Sequence, residues 1–171
     1  MDNLLALLKS ISSLERAPQT VRADYPAPRS PYKPILLLTT FRRIQQGRQP
    51  FIDNRIGFQE CLRDFSTLYS RVFGDSSDME TKATQAFWYL GAGKPRIWQH
   101  VAKQGMDEQL QTCIKEKVQI KSMAKLTSLV DYARFPKDAW TLLADSDVQK
   151  ALIAFLISEQ FTDVKKEIEL L

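Results

Sequence analysis

The sequence predicts an α+β, mainly α-helical fold, and three observations carry that expectation. Apolar residues recur at helical spacing through most of the 171 residues. Strand-like composition is confined to two short stretches, 49–52 and 86–101. Gly47 and Gly74 stand where periodic runs stop, as glycines beyond helix ends do. At this length the chain is expected to form one domain, 1–171, with a core that needs no disulfide or metal.

The elements follow in order. Asp2 or Asn3 caps a first helix that runs to about Glu15, with Leu4, Leu7, Leu8, Ile11 and Leu14 on one stripe. Residues 16–33 form a proline-rich loop of eighteen residues, long enough for a function of its own to be expected there. Pro34 opens a second helix over 34–46, because proline fixes its own φ and needs no N–H in a first turn. The unbroken run Ile35–Leu38, followed by Phe41 and Ile44, marks that helix as buried. A short strand is expected over 49–52. Asp53 or Asn54 then caps a third helix that carries Ile56, Leu62, Phe65, Leu68, Tyr69 and Val72. The polar stretch 75–82 reads as an exposed loop. Two strands, 86–90 and 95–101, flank Gly91-Ala92-Gly93-Lys94, a hairpin by composition, with one of Phe87 and Trp88 in the core and the other partly exposed. Helices are expected over 107–118, near 125–133, over 136–144 and over 146–159, the last capped by Asp145, Ser146 or Asp147. The charged end, 161–171, is expected to fray.

Charge is unevenly spread. Between Arg16 and Glu60 there are eight cations and three acids, a balance of +5, which leaves −1 for the remainder of the chain. Seven of those eight cations are arginine, the residue suited to bidentate phosphate contact. Such a segment is an electrostatic footprint for nucleic acid, although solubility alone also accounts for a block of this size. Arg29 and Lys33 flank the start of the second helix, whose N–H groups and dipole favour an anion, and Ser30 adds a hydroxyl donor. The alternative is a proline-rich lead-in whose charges only face solvent.

Other chemistry is poorly supplied. Cys61 and Cys113 are expected to be buried free thiols, and with His100 as the single histidine no zinc set of ordinary spacing can be assembled. No metal or cofactor is expected. There is no glycine-rich nucleotide loop and no nucleophile elbow, so the chain is expected to bind rather than catalyse. No apolar run approaches the ~20 residues of a membrane span, and a cytoplasmic protein without membrane contact is expected.

The run Pro31-Tyr32-Lys33-Pro34-Ile35-Leu36-Leu37-Leu38 resembles the signature of the sulfur-binding domains of McrA-like, phosphorothioate-dependent HNH restriction endonucleases. In that family the signature helix is followed by a glycine, a second helix and a short Phe-Trp-type strand ahead of a Trp. Counterparts here are Gly47, the segment 56–73, Phe87-Trp88-Tyr89-Leu90 and Trp98, so that residues 25–100 are covered. The resemblance implies a winged-helix-like core with a small β-hairpin, and double-stranded, phosphorothioate-bearing DNA as partner. It also implies a nuclease domain in cis that this chain, with one histidine, does not supply.

Sulfur is larger and softer than the oxygen it replaces and accepts hydrogen bonds poorly. An apolar cup beside phosphate donors would therefore select it. On the resemblance Pro31, Pro34 and Tyr32 supply apolar surface, and Arg29, Ser30 and Lys33 supply donors. The second wall falls at Gln85-Ala86, where the family often has Tyr-Pro, so the cup is shallower here. Arg22, Lys94, Arg96 and His100 are further candidate DNA contacts, the middle two as a hairpin wing. The rival readings are a reader of modified bases or ordinary duplex, and a protein-interaction module.

Overall fold

The computed structural model describes residues 2–14, 30–161 and 168–169. It is mainly helical with one small antiparallel sheet. The order is α1 (Asp2–Ser12), α2 (Tyr32–Gln45), a 3₁₀ turn (Phe51–Asp53), α3 (Phe58–Phe73), α4 (Met79–Ala92), β1 (Gln99–Ala102), α5 (Asp107–Lys115), α6 (Met123–Leu129), β2 (Val130–Arg134), α7 (Lys137–Leu143) and α8 (Ser146–Gln160).

Helix α2 is the axis of the molecule. Ile35, Leu36, Leu37 and Leu38 are all fully buried. Four consecutive residues span most of a helix circumference, so α2 must be covered on every side. It packs against α3, α4 and α8. Its end is as expected, at Gly47 with φ +65°. Its start is two residues earlier than expected: Tyr32 is the first helical residue and Pro34 the third, still within the turn whose N–H groups lack helical partners. Helix α1 lies on α7 and α8, where Gln160 Nε2 donates to the Ile11 carbonyl at 2.8 Å. Asp145 caps α8 as expected, its side chain accepting from the N–H groups of Asp147 and Val148.

Arg43 is buried on α2, and its guanidinium grips Asp64 of α3 in a two-point fork, Nε to Oδ2 at 2.7 Å and Nη2 to Oδ1 at 2.9 Å. Its third branch donates to the Gln49 carbonyl at 3.2 Å, and the cation stands 5.0 Å from the Phe51 ring. The Asp64 bond chiefly holds the Arg43 pKa above its ordinary value. These contacts draw 49–53 into a 3₁₀ turn where a strand was expected.

The hairpin is a correction. Residues 86–90 belong to α4, and β1 pairs not with its neighbour in sequence but with β2, in the register Gln99 with Arg134, His100 with Ala133 and Val101 with Tyr132. Five aromatic-rich residues viewed alone suit a strand. Over a longer window Ala83, Ala86, Phe87, Leu90 and Gly91 recur at helical spacing, and all five are buried. Phe87 and Trp88 are both in the core, against the expected alternation, because α4 is packed against α2, α3, α6 and β1 together. The expected helix near 125–133 divides into α6 and β2, the latter burying Val130 and Ala133 and exposing Asp131 and Arg134.

Two loops also differ from expectation. The polar loop after α3 ends at Asp78, and Lys82 is a buried residue of α4. Neither Asp53 nor Asn54 caps α3, which starts after Gly57. Asn54 instead bonds Phe135 twice, Nδ2 to the carbonyl at 3.0 Å and Oδ1 from the N–H at 2.8 Å. Two residues on, Ile56 and Ala133 exchange backbone hydrogen bonds at 2.7 and 2.8 Å, which adds a rung to the far side of β2.

Gly91 is where α4 approaches β1. A methyl group there would run into the His100 ring, which is itself held between neighbours. Alanine gains about 1 kcal/mol of helix propensity over glycine, but overpacking a closed core costs about 1–3 kcal/mol. Gly91→Ala is therefore expected to destabilise the fold by up to about 2 kcal/mol net and to lower the urea midpoint accordingly; a raised midpoint would show that the two elements part easily.

Candidate functional site

The start of α2 brings cations and aromatic rings together. Ser30, Pro31 and Pro34 are buried, and Tyr32 and Lys33 are half-buried. The Ile35 N–H donates to the Pro31 carbonyl at 2.9 Å, which closes the first turn. Lys33 Nζ stands 5.8 Å from the centre of the Tyr89 ring. Lys82 Nζ stands 5.6 Å from the Tyr32 ring and 5.9 Å from the Tyr69 ring. Each is a cation over a π face, a contact worth about 0.5–2 kcal/mol depending on desolvation. Lys82 also reaches the Asp78 carboxylate and Ser76 Oγ, and its ammonium is the main reason that the Asp78 carboxyl lies below its usual range.

Beside Lys33 a cleft of about 340 Å³ opens between α4 and the end of α5. Lys33, Lys94 and Lys117 ring it, and Tyr89, Ala92 and Val118 form its apolar surface; no acid among the described residues lines it. Gly93 ends α4 beside the cleft, where a side chain would run into the Tyr89 carbonyl oxygen, 2.6 Å from its Cβ. Burial raises the Tyr89 pKa, so the ring enters the cleft as a neutral phenol. Lys117 stands out in its backbone. With φ +55° it occupies the left-handed region that glycine or asparagine normally fills after a helix. A lysine there costs about 1–2 kcal/mol.

The expected site residues divide accordingly. Ser30, Pro31, Tyr32 and Lys33 meet at the start of α2, and Lys94 joins them through the cleft. Gln85 is half-buried, and helical spacing sets it on the same face of α4 as Lys82 and Tyr89. Ala86 is a correction: at 1 % exposure it faces the core and cannot touch a ligand. His100 is another. Its ring is sandwiched against Trp88 and Phe87, its Nε2 donates to the Trp88 carbonyl at 2.9 Å, and desolvation pushes its pKa down to about 4. A neutral, buried imidazole is structural. Arg96 is exposed beside β1 rather than at a hairpin tip. Arg22 and Arg29, and 16–29 of the proline-rich loop, lie outside the described residues.

Sequence reasoning missed Lys82 and Lys117. The first falls in a stretch whose polar composition reads as a loop, although its spacing to Ala83 and Ala86 already fits α4. The second carries no sequence signal, because only the fold joins the end of α5 to α4. Cys61 and Cys113 are free thiols, the former buried and the latter half-buried at the rim of the cleft. Among the described residues no three histidine, cysteine or acidic side chains gather as metal ligands, and no helix is long and apolar enough to cross a membrane. In comparison with known proteins, no family model and no curated protein matches this sequence.

Proposed function

We propose that this chain is a DNA-binding module that reads a sulfur-bearing backbone phosphate, and that it serves as the targeting part of a modification-dependent restriction endonuclease in the cytoplasm. The observation that carries this reading is the cleft at the start of α2, where, among the described residues, three lysines and no acid surround an apolar surface. Cations satisfy the phosphate charge. Tyr89, Ala92 and Val118 offer the soft sulfur a surface on which no hydrogen bond is forgone. The cationic surroundings of Lys33 argue against an acidic or neutral interaction surface. Cutting is assigned to a nuclease domain in cis.

The strain at Lys117 supports the same reading, because a residue kept in an unfavourable conformation is expected where its side chain has work at a site. Lys117→Gly is expected to stabilise the fold by up to about 1 kcal/mol while it weakens DNA binding. Gel shifts on matched duplexes with and without one phosphorothioate test the proposal. Wild type is expected to favour the modified duplex. Lys33→Ala with Lys94→Ala should weaken both duplexes and lower the salt slope by about 0.9 per lost contact. Tyr89→Ser should reduce the preference and leave ordinary binding in place. Equal affinity of the wild type for the two duplexes would end the sulfur reading.

A further inference from the structure

A second basic feature lies at the other end of α2. Among the described residues, a groove between α2 and α3 is lined by five arginines, Arg42, Arg43, Arg48, Arg63 and Arg71, and by one acid, Asp64. That acid is already committed to Arg43 through both oxygens. Of the remaining arginines, Arg42 is half-buried, and its Nη2 donates to the Ile168 carbonyl at 3.2 Å. Arg48, Arg63 and Arg71 are exposed, and no carboxylate among the described residues forms an ion pair with them. Glu60, one turn before Arg63, is turned back against Gly57 at the start of α3.

Intramolecular chemistry accounts for part of this charge. Arg42 and Arg43 complement the negative end of the α2 dipole. Nothing comparable applies to Arg48 beyond that end, or to Arg63 on the middle of α3. Gathering like charges along one groove is unfavourable for the folded chain on its own, and a bound polyanion relieves it. Arg63, Thr67 and Arg71 recur every fourth residue along one face of α3. Arg63 and Arg71 are thus about 12 Å apart along the helix axis, far enough to reach more than one phosphate of a strand. The groove begins at Thr39 and Arg42. From Lys33 to Arg42 is about 14 Å along α2, too far for the two cation clusters to share one phosphate.

We infer that this groove is a second phosphate track, one that grips the unmodified sugar–phosphate backbone of duplex DNA and supplies affinity without selectivity. The inference rests on the reading above only in taking DNA as the polyanion, and not on sulfur recognition. Charge and spacing recommend it: guanidinium forks suit phosphate oxygens, and the track has length in place of an enclosed pocket.

The test uses the full chain with Arg48→Ala, Arg63→Ala and Arg71→Ala combined, all three being exposed, and the matching triple lysine variant. Binding to an ordinary duplex, to the same duplex with one phosphorothioate and to duplex RNA of the same sequence is followed over a range of salt. The alanine variant is expected to lose at least about tenfold in affinity for both DNAs, with their ratio unchanged and the salt slope lower by about 2–3. The lysine variant is expected to keep most of the slope. An unchanged slope in a folded alanine variant overturns the inference. So does a loss confined to the modified duplex, or one confined to RNA, or a wild type that binds no DNA. A wild type that binds both DNAs equally, with the loss intact, defeats sulfur reading alone.

Discussion

Trp98→Ala is expected to destabilise the fold by about 4 kcal/mol, within the ~3–5 kcal/mol range for removing a buried Trp or Phe side chain. Trp98 is fully buried, with its ring 5.2 Å from Phe87 and edge-on to Phe135 at 6.0 Å. Phe135 in turn stacks on Phe41 of α2. Trp98 is therefore the ring through which α4, the end of β2 and the central helix meet. Its Nε1 also donates to the Phe87 carbonyl at 3.2 Å, so truncation removes a hydrogen bond together with the packing. The surrounding elements are joined on several sides, which limits collapse into the space left behind. Guanidinium unfolding should show a lower midpoint with an unchanged slope. A loss below about 1 kcal/mol would mean that the aromatic cluster repacks freely.

Acid is expected to weaken the fold well before its carboxylates are protonated. Burial holds the His100 pKa near 4 in the folded chain, against about 6.5 when unfolded. Above pH 6.5 both states are neutral at this ring and it contributes no pH dependence. Below that, the unfolded chain takes up a proton that the folded core refuses, so stability falls as pH falls. The loss continues to about pH 4, amounting to about 3 kcal/mol, and then levels off. Asp78 acts in a lower window, since its folded carboxyl lies below the ordinary value near 3.8. Unfolding free energies at pH 7, 5.5 and 4.5 should show the decline in wild type and its loss in His100→Gln. If both proteins follow the same curve, His100 is not the group that titrates.

Most of the helices were legible in the sequence, and for one physical reason. Helices α2, α3 and α8 each carry enough turns for their spacing to declare itself, and Gly47, Gly74 and Asp145 mark their ends. Residues 86–101 were not legible, because the choice between strand and helix there is made by partners distant in sequence. α4 is covered on several sides, so adjacent aromatics can both be buried, whereas an isolated hairpin would have to expose one of them. The site divides in the same way. Lys33 belongs to a local pattern that the sequence shows, whereas Lys94, expected at a hairpin tip, reaches the cleft from just beyond the end of α4. Lys117 reaches the cleft only because α5 folds back beside α4, and Arg63 and Arg71 complete the second groove only because α3 lies along α2.

The clasp between Asn54–Ile56 and Ala133–Phe135 bears on the order in which the chain folds. Its hydrogen bonds join residues up to 81 apart, and they fix only a few groups at each end. Closing a loop of that length from an open chain costs about 4 kcal/mol in entropy, which cancels the ~0.5–1.5 kcal/mol that each of the four bonds returns. Contacts made between neighbouring helices, α3 with α4 for example, carry no such burden. The helices between Phe58 and Leu129 thus have to gather first and bring β2 within reach of Ile56. In a folding experiment the clasp belongs on the native side of the barrier: weakening it should leave the folding rate nearly unchanged and appear mainly as faster unfolding.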